Sequence, residues 1–325
     1  MNVMDILLLG GTAFLGREIA RQFLSSGHSV TCLARGSQPA PAGTTFIKAD
    51  RDNADALRSV ARTAWDAVID LTSHPVHAVR AVGELSSRHW VYVSSSSVYT
   101  DFSAPEQSEA GTVHDPLAAG WMPDMSQFGP AKIACEDAYR AMDQPVTIIR
   151  PGLIGGWGDW TGRSGYYIWR CANPTGPDVL VPDKTQPTAI LDVEDLAAWI
   201  VSCVTNSVTG TYNAAGQTTT LAEIYQHCQD LSGMEAAIRV VDDQTLLDEG
   251  VNPWTGPRSF PLWIPDPSSR FTATLDSTAA IDNGLQTRPI IETLTAALRY
   301  EEERSTPRQA GLTDEEERIL RKALL

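Results

Sequence analysis

With 325 residues, 42% of them hydrophobic and 20% charged, the chain has ample material for a large core, as one compound unit or two intimate domains. A formal net charge of −15 argues against a nucleic-acid or anionic-membrane surface, because both need clustered Lys and Arg. Cys32, Cys135, Cys171, Cys203 and Cys228 fall at no paired spacing, so neither a disulfide framework nor a metal site is expected.

Met1–Asp5 carries no basic stretch, and no apolar run approaches the length of a bilayer span, so the expectation is a cytoplasmic protein. Asp5–Leu9 reads as a first strand. Leu15, Ile19 and Phe23, with Leu24 beside them, form the apolar stripe of a helix that Gly27 would end. Further strands are predicted at Ser29–Leu33, Thr45–Lys48, Ala67–Leu71, Trp90–Ser94 and Val146–Arg150. Strands alternating with helical periodicity predict an α/β fold, a doubly wound parallel Rossmann sheet over residues 1–150. After Arg150, residues 151–187 read as a loop-heavy stretch rich in Gly, Pro, Trp and Tyr. Residues 188–218, with a helix opening near Ile190 and a strand at Gly210–Ala214, return to the first domain. Residues 151–187 and 219–325 make a smaller substrate-binding region. It holds a strand at Ile238–Val241, and Thr313 opens a last helix through a capping box.

Gly10, Gly11, Thr12, Ala13, Phe14, Leu15 and Gly16 join the first strand to the first helix. Glycines there permit a tight turn and bring backbone N–H groups at a helix N-terminus to a pyrophosphate. The second strand ends at Ala34-Arg35, where an acidic residue would bind the ribose hydroxyl of NAD. Arg35 suits a 2′-phosphate instead, so NADP is preferred over NAD. Asp50 is placed to accept from the adenine amine, and Leu71 closes the same cofactor edge. His74 and His77 lie near that edge without the partners a metal would need.

The run Trp90-Val91-Tyr92-Val93-Ser94-Ser95-Ser96-Ser97-Val98-Tyr99 leaves the fifth strand where ligands of open α/β sheets bind. With the glycine loop, Gly129 and Lys132, Arg150-Pro151-Gly152 and Asp192-Val193-Glu194-Asp195-Leu196, the chain resembles the extended short-chain dehydrogenase/reductase family, the NAD-dependent epimerase/dehydratase proteins. The resemblance spans residues 5 to about 215. It implies a nicotinamide cofactor, Ser95 hydrogen-bonding a substrate oxygen, Lys132 holding the nicotinamide ribose, and pairing of two copies through the lysine helix. The family's tyrosine falls on Phe128. One helical turn separates 128 from 132, so a tyrosine there would donate a proton with its pKa lowered by the lysine. Phenylalanine keeps the ring and loses the proton. Three readings are open: a disabled carbonyl reductase, a chemistry needing no acid such as hydride delivery to an iminium ion, or another donor, for example Tyr99, Tyr166 or Tyr167.

Trp157, Trp160, Tyr166, Tyr167 and Trp169 crowd the expected substrate loop, with Tyr99, Tyr166 and Tyr167 as candidate substrate contacts. Trp254 and Trp263 either cover the pocket mouth or anchor their loop. Few cations accompany these rings, which favours a small carbonyl or imine substrate over a diphosphate. The expected function is an NADP(H)-dependent oxidoreductase, slow or inactive for lack of a tyrosine at 128. The alternatives are an NAD-dependent sugar-nucleotide epimerase/dehydratase and a non-catalytic cofactor-binding protein.

Overall fold

A computed structural model describes residues 3–233 and 237–324. Apolar runs such as Ile6–Leu9, buried on both faces, form the strands of a parallel sheet. In chain order the elements are β1 (Asp5–Leu9), α1 (Phe14–Ser25), β2 (Ser29–Ala34), β3 (Thr45–Lys48), β4 (Ala64–Asp70), α2 (Pro75–Glu84), β5 (Ser86–Val93), α3 (Phe128–Arg140) and β6 (Val146–Pro151). The strands lie in the order β3-β2-β1-β4-β5-β6, and Gly210–Ala214 pairs in parallel beyond β6 as the seventh. Strand order reverses between β1 and β4, which opens a crevice at their C-terminal ends. β4 and β5 stop at Asp70 and Val93, so Leu71 and Ser94 lie just past strand ends rather than inside strands.

Helices cover both faces. On one, Leu15, Ile19 and Phe23 of α1 pack with Leu196, Trp199 and Ile200 of a later helix. On the other, Ala78 and Ala81 of α2 meet Cys135 and Tyr139 of α3 under Val68 and Trp90. The segment 151–187 departs from the expected loop. It contains α4 (Tyr166–Ala172) and a strand, Asp178–Val181, that pairs in parallel with Ala237–Val240. The reason is burial: Tyr166, Tyr167, Ile168 and Val179–Val181 build a second core. The later helix is α5 (Val193–Thr205), begun by the Asp192 carboxylate accepting from the Glu194 N–H; α6 (Leu221–Ser232) supplies Leu221, Ile224 and Tyr225 to the second core. The Thr313–Glu316 capping box forms as its sequence predicts.

Candidate active site

Gly10 adopts φ +105°, a conformation L side chains rarely reach. A Cβ on Gly16 would stand 2.4 Å from the Gly10 carbonyl oxygen, and one on Gly11 2.5 Å from Cys32 Sγ. These glycines therefore let α1 seat directly on the strand ends. The α1 N-cap, Ala13, makes no side-chain cap, and the first turn holds no acidic residue. That leaves first-turn N–H groups and the positive helix end for an anion. A cleft of about 290 Å³ opens beside them, lined among others by Gly10, Thr12, Ala13, Arg35, Asp50 and Leu71. The glycine turn, uncapped helix and exposed arginine suit a dinucleotide. Leu15 buries its side chain in the core and Gly16 has none, so neither lines the cleft with a side chain; Phe14 stands half-buried at the turn's end.

Arg51, Asp52 and Thr72 also line this cleft, though their sequence positions did not mark them. Arg51 holds the buried Asp70 with two hydrogen bonds of 2.7 and 2.8 Å, and the Tyr139 hydroxyl donates to Asp70 at 2.6 Å. An aspartate inside the apolar run Val68-Ile69-Asp70-Leu71 is the sequence signal for such a partner. His77 bridges Thr72 Oγ1 and Asp52, each at 3.0 Å. Burial first, then the Arg51 charge, pulls its pKa down to about 4, so the ring is neutral at pH 7. Its Nε2–H then donates to the Asp52 carboxylate while Nδ1 accepts from Thr72. Asp50 accepts from the Asp52 N–H at 3.1 Å and faces the cleft half-buried.

α3 carries Phe128 and Lys132 on one face. Lys132 is 4% exposed, and its ammonium donates to the Thr72 and Val93 carbonyls, both at 2.8 Å. Burial lowers its pKa to about 8, against the pull of Asp70 and Glu136. Just past β5, half-buried Ser95 accepts from the Ser97 N–H and donates to the Ser97 hydroxyl, both at 3.1 Å. A Cβ on Gly129 would fall 2.2 Å from the Ser97 carbonyl oxygen and 2.7 Å from the His114 ring. Only glycine lets the lysine helix lie against the Ser95 turn.

Three candidate substrate residues require correction. Tyr99 is buried; its hydroxyl donates to Asn213 at 2.7 Å and accepts from Arg150 at 2.9 Å. Arg150 in turn makes two bonds to Glu136, and Ser94 donates to the same carboxylate at 2.5 Å. Tyr99 thus ties the sheet edge together and does not face substrate. Tyr166 and Tyr167 are buried in the second core, edge-on to each other, with the Tyr167 hydroxyl donating to the Pro261 carbonyl. Burial pushes both phenols up, away from any acid role near neutrality. Trp263 anchors its loop through Asp243 at 2.8 Å.

Residues 6–84 match the NAD dependent epimerase/dehydratase family. The chain is 25% identical over 206 residues to a ceramide reductase of Caulobacter vibrioides, a match covering 63% of this chain and 62% of that protein. It is 23% identical over 220 residues to the chloroplast stem-loop binding protein of 41 kDa b of Arabidopsis thaliana, covering 62% and 55%. The match therefore spans less than two thirds of either relative. Among solved structures, the Bordetella bronchiseptica enzyme WbmG in complex with NAD and UDP superposes with a TM-score of 0.65 at 18% identity, over 93% of this chain and 96% of that one. The family match is thus confined to the nucleotide-binding segment, while the likeness to the solved structure is one of fold and extends over most of the chain.

Proposed function

We propose that the chain is an NADP(H)-linked oxidoreductase of a small organic carbonyl or imine compound, retarded in proton transfer by Phe128. The observation that carries this is the convergence of Lys132 and Ser95 at the ends of β4 and β5, beside the glycine loop. A bound nicotinamide cofactor would accept or supply the hydride. The first-turn N–H groups of α1 would hold its pyrophosphate and Arg35 its 2′-phosphate. Lys132 would hold the ribose hydroxyls, as the family resemblance implies. The Ser95 hydroxyl would hydrogen-bond the substrate oxygen. Phe128 offers the same ring as a tyrosine and no proton, so a neutral carbonyl lacks its acid while an iminium ion, already cationic, does not need one.

Two arginines that could serve a diphosphate are spent elsewhere: Arg170 pairs with Asp314 and Glu317, and Arg270 with Asp183. That favours a small substrate. The rival reading is an NAD-dependent sugar-nucleotide epimerase or dehydratase, supported by the family match and by a structural neighbour holding NAD and UDP.

The test is NADPH and NADH oxidation by this chain and by Phe128→Tyr against ketones, aldehydes and cyclic iminium ions. Turnover of carbonyls appearing only with tyrosine, or of iminium ions already with phenylalanine, supports the reading. Tightly retained NAD with epimerisation of a UDP-sugar replaces it with the rival. Cofactor binding without turnover in either variant points to a non-catalytic binder.

A further inference from the structure

Arg163 lies in the loop between the short strand Ile154–Gly155 and α4. A Cβ on Gly155 would meet Ser164 Cβ at 2.7 Å, and one on Gly158 would meet the Phe14 ring at 3.3 Å. The loop therefore runs from the helix that opens at the glycine turn to the second core, past the C-terminal end of β6. Along that path Arg163 meets Trp254, with Cζ 5.6 Å from the ring centroid. Trp254 itself takes φ +68°, a costly conformation for a non-glycine residue, at the end of a strand paired with Ser259–Pro261.

What Arg163 lacks is an anion. Among the described residues no carboxylate stands within 4.0 Å of it, and its side chain is only partly exposed. Its Nε donates to Thr161 Oγ1 at 3.3 Å, within its own loop. Asp159, the nearby carboxylate, is already committed. One of its oxygens accepts from the Thr161 N–H and hydroxyl at 3.0 and 2.5 Å, the other from the Ser164 N–H and hydroxyl at 2.9 and 2.8 Å. Neighbouring arginines are served otherwise: Arg304 and Arg308 share Glu301. Burial accordingly pulls the Arg163 pKa down, with only a long-range pull from Asp159 against it. A partly desolvated guanidinium with its terminal N–H groups uncommitted to protein is matched by a planar anion, which it can hold with two parallel hydrogen bonds.

We propose that Arg163, backed by the Trp254 ring, anchors a single anionic group, carboxylate or phosphate, on the substrate; this rests on the cleft above being the active site. The substrate class is then a carbonyl or imine compound bearing one acidic group, and the loop selects for that group while Ser95 and Lys132 hold the reacting end.

The experiment is calorimetric titration of the intact chain, saturated with NADP⁺ or NAD⁺, whichever binds. The probes are benzoylformate, its neutral methyl ester, and inorganic phosphate. At least tenfold tighter binding of benzoylformate than of its ester marks a carboxylate site. Measurable phosphate binding that also depends on Arg163 marks a phosphate site. Arg163→Gln should weaken either anion at least tenfold and leave the cofactor Kd within twofold, with Arg163→Lys between. The proposal falls if the ester binds as tightly as the acid and phosphate does not bind. It falls equally if Arg163→Gln binds both anions as the parent chain does. The acid–ester comparison needs no variant, so a misfolded Arg163→Gln leaves the test intact. Because binding is read without turnover, Arg163-dependent anion binding stands even if no hydride transfer is found, and turnover of neutral substrates alone sinks the anchor but not the oxidoreductase.

Discussion

The Lys132 ammonium stands 5.7 Å from the centroid of the Phe128 ring and donates to two main-chain carbonyls at 2.8 Å. The helical turn that would set a lysine beneath a phenol here sets it beneath a bare ring. In the proposed reading the lysine lacks the phenol whose pKa it would lower, while the backbone that aims it is intact. Restoring the hydroxyl in Phe128→Tyr is therefore expected to raise carbonyl reduction by about 10²–10⁴, the usual worth of a positioned acid. Unchanged NADPH oxidation in the variant would refute the disabled-reductase reading.

Lys132 also gives the fold a pH signature. Its folded pKa, about 8, lies below the ordinary lysine value of 10.5, so between those two pH values the unfolded chain binds more protons. Stability attributable to this group should rise with pH across that window, because the cost of burying its charge fades as the group loses its proton. Relative to Lys132→Met, the parent chain should gain on the order of 3 kcal/mol at most between pH 8 and 10.5. Parallel denaturation curves for the two proteins over that range would contradict it.

The proposed preference for NADP(H) would turn on Arg35, exposed at the cleft rim. Arg35→Ala is expected to weaken NADPH by about tenfold, the loss of one charge-assisted contact to a phosphate, and to change NADH little. The NADPH effect should shrink as salt rises. Fluorescence titration of both cofactors measures it, and equal losses for the two would assign the arginine a purely structural place.

The network Ser94–Glu136–Arg150–Tyr99 behind the Ser95 turn should be the stability core of the site. Burial pushes the Glu136 carboxyl up, but hydrogen bonds and charge from Arg150, with Ser94 and Arg140, bring it net below the ordinary glutamate value of 4.5. Its stabilisation is present above that unfolded value and lost as pH falls through the depressed folded one. Glu136→Gln leaves Arg150 buried and uncompensated and is expected to cost about 3–5 kcal/mol in urea denaturation at pH 7. A cost under about 1 kcal/mol would mean that Arg150 finds another partner.

Local pattern carried a good deal of this protein. The glycine turn between an apolar strand and an amphipathic helix announces a dinucleotide cradle from neighbouring residues alone, since β1, the loop and α1 are contiguous. The four-residue spacing of Phe128 and Lys132 likewise sets both on one helix face, and a phenylalanine at 128 is visible in the letters. The aromatic run Tyr166-Tyr167 misled because composition does not distinguish rings lining a pocket from rings filling a core; that depends on Tyr225 and Phe260, far along the chain. Tyr99 misled for the same reason, its hydroxyl being claimed by Asn213 and Arg150 at separations of 114 and 51 residues.

The sequence by itself determined the sheet, the glycine loop and the pairing of Phe128 with Lys132 on one helix face, because each follows from backbone periodicity or from side chains within one turn of each other. Only the tertiary structure decided which polar groups are spent and which are free. Asp70 is spent on Arg51, Tyr99 on Arg150 and Asp159 on its own loop, while Arg163 keeps its terminal N–H groups. A buried charge is satisfied by whatever distant residue folding brings within hydrogen-bonding reach, and neither spacing nor composition records that distance.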